Sequence, residues 1–227
     1  MIKYVLWDID GTLLDFDLAE DNSIRHCFEY FGLVTCSDEQ LLDYKKINDK
    51  YWKALERGEI SKKEVLEGRF IEFFNKYGID DSITEDFNAY YQRALGLSSE
   101  FNPYAEEVVA YLRNKYRQFG ATNGTKVAQE GKLQRSGLDE SLEKVFISEE
   151  LGIEKPSTEF FDHVFAYTDD YDKNSYVIIG DSLTSDIQGG VNAEIKTIWF
   201  NPKGHKNHLD LAIDYEISSL DQVKEIL

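Results

Sequence analysis

The chain of 227 residues has the length of one large domain, or of a core with one substantial insertion, at roughly 150 residues per domain. Its 25 basic and 43 acidic side chains leave a formal charge of −18, the wrong sign for a nucleic-acid or anionic-membrane partner. A hydrophobic share of 42% is too rich for a disordered acidic chain, so the excess acid belongs to a folded surface or to carboxylates gathered round a cation.

Ile2–Trp7 is a short apolar run with β-branched and aromatic members, ending at Asp8-Ile9-Asp10-Gly11. Such a run suits a strand buried on both faces of a parallel sheet. From about Leu18 to Leu95 the periodicity becomes helical. Ile24, Cys27, Phe28 and Phe31 fall on one stripe, with Gly32 as a stop. Ser37 with Gln40, and Ser61 with Glu64, form capping-box pairs that open two further helices. Leu41, Tyr44, Ile47, Tyr51 and Leu55 line the first of these; Val65, Leu66, Phe70, Phe73, Phe74 and Tyr77 line the second, which stops at Gly78. Ile83, Phe87, Tyr90, Tyr91 and Ala94 mark a fourth helix. With no strand signal among them, the four form a bundle-like unit.

Past Pro103, strands and helices alternate. Strands are expected at Gln118–Thr122, Lys144–Ile147, Tyr176–Ile179, Thr197–Phe200 and Tyr215–Ile217. Helices are expected up to Gly137, from Ser157 to about Tyr167, up to about Asn192, and after Ser218 or Ser219. The alternation predicts an α/β fold: a parallel-sheet core with helices on both faces and an inserted α-helical bundle after its first strand.

Open parallel sheets place their active sites at the carboxyl ends of the strands. There this chain carries Asp8 and Asp10 after the first strand and Thr122-Asn123-Gly124 after the second. Lys155-Pro156 opens the helix after the third, and Asp181 with Asp186 follows the fourth. Asp8 and Asp10, two apart, share one face of an extended chain. Carboxylates this close ionise together cheaply only with a cation between them. Four acids and Lys155 sum formally to −3, and Mg²⁺ with one protonated carboxyl brings the sum to zero. The Thr122 hydroxyl and the backbone N–H groups near Asn123-Gly124 are candidates to hold phosphoryl oxygens. Any one of these motifs is as readily a turn or a solvated loop acid; their joint order at strand ends carries the reading.

Asp8-Ile9-Asp10-Gly11-Thr12-Leu13, Thr122-Asn123-Gly124, Lys155-Pro156, and Gly180-Asp181-Ser182 with Asp186 resemble the four motifs of the haloacid dehalogenase (HAD) superfamily. The resemblance spans nearly the whole chain, and the helical insertion sits where that family carries a small α-helical cap. It implies a Rossmann-like catalytic core of residues 1–16 and 97–227 and a helical cap of residues 17–96. It further implies a Mg²⁺-dependent phosphatase in which Asp8 is the nucleophile and forms an aspartyl-phosphate. Asp10 would be the general acid for the leaving group and then the base for water. Asp8, the main-chain carbonyl of Asp10, and Asp181 would ligate the metal, with Asp186 in support. Thr122, Asn123 and Lys155 would hold the phosphoryl group, Lys155 also stabilising Asp8. Asp10 favours phosphatase over dehalogenase, because an alkoxide needs a proton to leave and a halide does not.

Lys46-Ile47-Asn48, Tyr51-Trp52, Glu56-Arg57-Gly58-Glu59-Ile60, Gly68-Arg69-Phe70 and Ile147-Ser148-Glu149-Glu150-Leu151-Gly152 are similar to bacterial house-cleaning pyrimidine 5′-nucleotidases of that superfamily. This similarity implies a nucleoside monophosphate as the small phosphorylated partner, with Phe16, Asn48, Trp52 and Arg69 as candidate contacts. The plainer fate of Tyr51, Trp52 and Phe70 is to pack the bundle. Where relatives carry Pro-Gly after the cap, this chain has Asn102-Pro103-Tyr104-Ala105, a departure at the hinge. The alternatives are a sugar-phosphate or phosphoglycolate phosphatase of the same superfamily and, more distantly, a receiver-type phosphorylation-switch module. Receivers spread their acids over different strands and lack a large insertion after the first.

No apolar run approaches the ~18 residues of a membrane span, and the N-terminus lacks a signal-peptide cleavage site. Cys27 and Cys36 are too few for a disulfide framework and read as thiols, so a cytoplasmic protein is expected. His205 and His208 sit in a Pro-, Gly- and Lys-rich loop and read as surface residues.

Overall fold

Strands with no exposed side chain belong inside a sheet covered on both faces. The computed structural model, which describes residues Met1–Leu227, contains six strands: β1 (Tyr4–Trp7), β2 (Arg117–Thr122), β3 (Lys144–Ile147), β4 (Tyr176–Gly180), β5 (Lys196–Phe200) and β6 (Tyr215–Ile217). They form one sheet in the order β3-β2-β1-β4-β5-β6, parallel at every pairing. β1 and β4 are buried at every position and lie side by side. Alternation along them feeds two cores. Val5, Trp7, Val177 and Ile179 join one cluster; Tyr4, Leu6, Tyr176 and Ile178 join the other.

Between β1 and β2 the chain forms α1 (Phe16–Tyr30), α2 (Asp38–Glu56), α3 (Lys62–Tyr77) and α4 (Thr84–Leu95). Both expected capping boxes are present, at Ser37–Gln40 and Ser61–Glu64. The four helices share a third, aromatic-rich core, with Phe28, Tyr44, Phe70, Phe73, Phe74, Phe87 and Tyr91 fully or almost fully buried. After the bundle come α5 (Ala105–Leu112), α6 (Lys126–Ser136), α7 (Leu138–Ser141), α8 (Ser148–Leu151), α9 (Thr158–Thr168), α10 (Gln188–Asn192) and α11 (Val223–Ile226). α5 and α11 cover one face of the sheet and α9 the other. α5 lies outside the expected elements, although Ala105, Val108, Val109 and Leu112 carry its apolar spacing. A π-helical turn over Leu183–Ile187 also precedes α10, where a continuous helix was the expectation.

The bundle's entry and exit are tied together. Asn102 Nδ2 donates to the Thr12 carbonyl at 2.9 Å and the Gly11 carbonyl at 3.1 Å, while Asn102 N donates to Leu13 O at 2.9 Å. At the departure from the Pro-Gly pattern, Tyr104 itself takes the left-handed conformation, with φ 68°. A side chain there costs about 1 kcal/mol that glycine avoids.

One polar chain runs through the bundle interior. Asn48 Nδ2 donates to Glu20 Oε1 at 2.7 Å, and Arg69 Nη1 donates to Asn48 Oδ1 at 2.8 Å. The Arg69 guanidinium also lies over the Phe70 and Tyr91 rings. Burial pushes the Glu20 carboxyl up from 4.5 to about 7, against the pull of Lys45 and Arg69. A raised acid is a stability cost that grows as pH climbs from the unfolded value to the folded one. Glu20→Gln removes it. The variant should gain about 3 kcal/mol relative to wild type between pH 4.5 and pH 7. Urea denaturation of both proteins at pH 5 and pH 8 checks this, and an equal difference at the two pH values contradicts it.

Candidate active site

The strand order reverses at β1, where β2 lies on one side and β4 on the other. That switch point opens a crevice at the carboxyl ends of β1 and β4. Asp8 follows β1, and its N–H donates to Ile179 O at 2.9 Å, so the ladder fixes its backbone. Asp181 follows β4, Thr122 closes β2, and Lys155 enters from the loop before α9. These residues, with Asp10, Asn123, Asp186, Ser182 and Ser185, line a cleft of about 190 Å³ whose roof includes Trp52 and Glu56.

Lys155 is the central cation. Its Nζ donates to Asp8 Oδ1 at 3.0 Å, Asp186 Oδ1 at 2.6 Å and the Ala121 carbonyl at 2.5 Å. An ammonium has three protons, and all three are engaged within the protein. The expected contact of Lys155 with a phosphoryl group therefore requires one of these bonds to open. Burial pulls its pKa down, but Asp186 and then Asp8 outweigh that and hold it raised. For Asp8, burial and the charge of Asp186 push the carboxyl well above its ordinary value, with Lys155 opposing both. Asp181 is open to the cleft but ringed by dense protein. Burial, then Asp186, push it up to about 7.

A cation fits these observations. Asp8, Asp181 and Asp186 offer carboxylate oxygens within 4.8 Å of one another. Asp8 Oδ2 is buried with no hydrogen-bond partner, a costly condition for a carboxylate oxygen. Asp186 is largely occupied, since it takes Lys155 on one oxygen and the Ser182 N–H at 3.0 Å on the other. Asp8 Oδ2 and Asp181 Oδ2 are left free, since Lys155 holds Asp8 Oδ1 and the Thr12 hydroxyl donates to Asp181 Oδ1 at 3.4 Å. An all-oxygen set suits Mg²⁺ and not the softer metals. Two glycines make the space. Gly11, at φ 95°, would place a Cβ 2.7 Å from Asp181 Oδ2, and Gly180 would place one 2.3 Å from the Asp186 carboxyl carbon.

Asp10 is held differently. Lys132 Nζ donates to Asp10 Oδ1 at 2.5 Å, and Gln129 Nε2 donates to Oδ2 at 2.6 Å. Neither partner was among the expected site residues. Lys132 revises the expected charge. Four acids and two ammoniums sum formally to −2, so the cluster carries less excess negative charge than the four acids and Lys155 alone. Glu56 adds a fifth acid, but burial pushes it up to about 7.

Thr122 Oγ1 accepts the Gly124 N–H at 3.0 Å and keeps its own proton for an acceptor. The Asn123 side chain is a brace: Nδ2 donates to Lys155 O at 2.8 Å and Oδ1 accepts from Lys155 N at 2.9 Å. Its contribution to anion binding is then confined to its backbone. Phe16 and Trp52 line the cleft. Asn48 and Arg69 do not. They are 4% and 2% exposed, and the Asn48 amide and the two Arg69 Nη atoms bond Glu20, each other and Asn88, so the expectation that they meet a substrate is corrected. Helical spacing located them on the bundle but not on which face. Cys27 and Cys36 are free and buried, and His205 and His208 are exposed.

Lys155→Met leaves two buried carboxylates facing each other without their cation. Metal-free protein should lose about 3–5 kcal/mol of stability in urea denaturation. A loss below about 1 kcal/mol would mean that Lys155 is not the buried counter-ion.

Comparison with known proteins agrees with this architecture. The profile of the haloacid dehalogenase-like hydrolases matches residues 5–200. The pyrimidine 5′-nucleotidase PynA of Streptococcus pneumoniae is 36% identical over 227 residues, covering 99% of this chain and 94% of that protein. The pyrimidine 5′-nucleotidase YjjG of Escherichia coli is 26% identical over 99% of this chain and 97% of its own length. Among solved structures, YfnB of Bacillus subtilis bound to magnesium superposes with a TM-score of 0.93 at 32% identity, covering 100% of this chain and 98% of that one. No helix is long and apolar enough to cross a membrane. With its switch-point cleft, its four strand-end motifs and this match over most of its length, the chain belongs to the haloacid dehalogenase-like hydrolases.

Proposed function

We propose that this hydrolase is a Mg²⁺-dependent phosphomonoesterase acting on nucleoside 5′-monophosphates, with Asp8 as nucleophile. The observation that carries the reading is the unpartnered, buried Asp8 Oδ2 beside Asp181, while Lys155 holds the other oxygen. Asp8 is thereby fixed in orientation with one oxygen free. That this free oxygen stays anionic beside two further acids calls for a cation, which Asp8, the Asp10 carbonyl and Asp181 would hold. Bound Mg²⁺ would offset the charge of Asp8 and Asp181 and admit a phosphate dianion.

In the proposed reaction an Asp8 oxygen attacks phosphorus, and the ester P–O bond breaks. Asp10 enters this step protonated, and the leaving alkoxide takes that proton. Asp10, now a carboxylate, removes a proton from water, whose oxygen attacks the phosphorus of the aspartyl-phosphate. The bond to Asp8 breaks and inorganic phosphate leaves. Thr122 donates its hydroxyl proton to a phosphoryl oxygen throughout.

The residues 17–96 would act as a cap over the site. Lys62 at the start of α3 reaches the core, where Nζ donates to Ser148 Oγ at 2.7 Å and pairs with Glu154 at 3.5 Å. Such closure excludes water and brings Phe16, Trp52 and Glu56 to the leaving group. The two aromatics supply flat faces for a base, and Glu56 Oε2, buried and unpartnered, offers an acceptor to a sugar hydroxyl or a base N–H. The nucleotide preference is supported by the relatives PynA and YjjG, both named pyrimidine 5′-nucleotidases.

Two tests follow. Asp8→Asn should lower Mg²⁺-dependent hydrolysis by about four orders of magnitude, because an amide is not a nucleophile. Substantial turnover by that variant would refute the assignment. Trp52→Ala and Glu56→Gln should each raise KM for a nucleoside monophosphate about tenfold while leaving nitrophenyl phosphate little changed. Parallel losses on both substrates, tracking a fall in Tm, would place these residues in bundle packing instead.

A further inference from the structure

α6 carries two buried side chains that the proposed reaction does not employ, and both close on the acid that exchanges protons. Lys132 is 1% exposed and Gln129 is not exposed at all. They stand three apart on one helix, so they present adjacent donors on one face. Their targets are the two oxygens of a single carboxylate, Asp10.

A buried ammonium is costly unless its protons are used. The one hydrogen-bond acceptor of Lys132 Nζ is Asp10, and the same atom lies 5.0 Å from the Phe16 ring centroid. Gln129 is more telling. A carboxylate only accepts, so the amide must turn its Nε2 toward Asp10, which leaves Oε1 buried without a partner. An orphaned amide oxygen is itself unfavourable. The fold tolerates it to keep the N–H on Asp10. Neither side chain lines the cleft; Lys132 borders it through Asp10 and Phe16, and Gln129 through Asp10. Without them the Asp10 carboxyl, 19% exposed at the cleft edge, would be free to rotate.

We propose that Lys132 and Gln129 are positioning residues that hold the Asp10 carboxyl in register with the leaving-group oxygen. This rests on the phosphomonoesterase reading above and assigns two further residues to it. Fixing a proton donor within hydrogen-bond reach of its target is the part of general acid catalysis that geometry supplies.

The test compares kcat and KM for an alkyl phosphate and for nitrophenyl phosphate, both with Mg²⁺. Wild type, Lys132→Met, Lys132→Arg, Asp10→Asn and the double variant Lys132→Met/Asp10→Asn are compared. Lys132→Met should lower kcat on the alkyl ester at least about tenfold more than on the aryl ester, whose leaving group needs less protonation. KM should stay within about twofold, because Lys132 does not touch substrate. Lys132→Arg should recover part of the alkyl-ester loss. In the Asp10→Asn background Lys132→Met should add less than about twofold, since its effect passes through Asp10. Equal losses on both esters, or losses that multiply in the double variant, overturn the proposal and leave Lys132 a structural ion pair. Should Lys132→Met not fold, Gln129→Glu, which sets a second carboxylate against Asp10, is held to the same two criteria. If Asp10→Asn alone shows no leaving-group dependence, the acid role of Asp10 falls and the clamp with it. That outcome is distinct from a clamp that fails while Asp10 behaves as expected.

Discussion

Asp8 and Asp181, just past the ends of two fully buried strands, and Asp186, in the turn that follows β4, bring carboxylate oxygens within 4.8 Å of one another, where they repel each other. The rest of the site is arranged around that repulsion. Lys155 enters from a different crossover and divides its three protons among Asp8, Asp186 and a carbonyl. Asn123 clamps the Lys155 backbone from both sides, which fixes where the ammonium can reach. Asp186 folds back over Gly180 to meet it. One cation is not enough for the whole cluster, and Asp8 and Asp181 remain raised by burial and by Asp186. In the proposed chemistry that residual charge is the affinity for a divalent ion.

The two ammoniums divide the labour. Lys155 orders the acids deep in the crevice, whereas Lys132 stands at its edge on Asp10 and beside Phe16, the first residue of the helical unit. α6 also meets that unit directly. Ala128 joins its aromatic cluster, and Thr125 Oγ1 donates to Gln92 Oε1 at 2.7 Å. Gly131 on α6 leaves room for Gly96 to approach, since a Cβ there would lie 2.6 Å from the Gly96 carbonyl oxygen. The helix that holds Asp10 is therefore packed against the end of the inserted bundle, so core and bundle share the element that aims the proposed acid.

The sheet was readable because fully buried parallel strands leave continuous apolar runs such as Tyr4–Trp7 and Tyr176–Ile179. The bundle was readable from its stripes and its two capping boxes. The strand-end acids were readable because a parallel sheet collects its carboxyl ends at one edge. Lys132 and Gln129 were not. They lie in a helix whose polar residues look like a solvated face, and only the tertiary position of Asp10 distinguishes them. Glu56 was hidden in the same way, inside a turn sequence. Asn48 and Arg69 show the converse error. A polar residue on a bundle helix can face a cleft or an interior partner, and Glu20, buried on the neighbouring helix, decided for the interior.

The central claim is that Asp8 attacks phosphorus and water attacks afterwards, at the same atom. Two in-line displacements restore the original configuration, whereas direct attack by water inverts it. The stereochemical course is measured by hydrolysing a phosphorothioate monoester made chiral with two oxygen isotopes, in water bearing the third, so that the released thiophosphate is itself chiral. Net retention at phosphorus is the result the account predicts. Net inversion would contradict it, because no covalent step through Asp8 could then lie on the path.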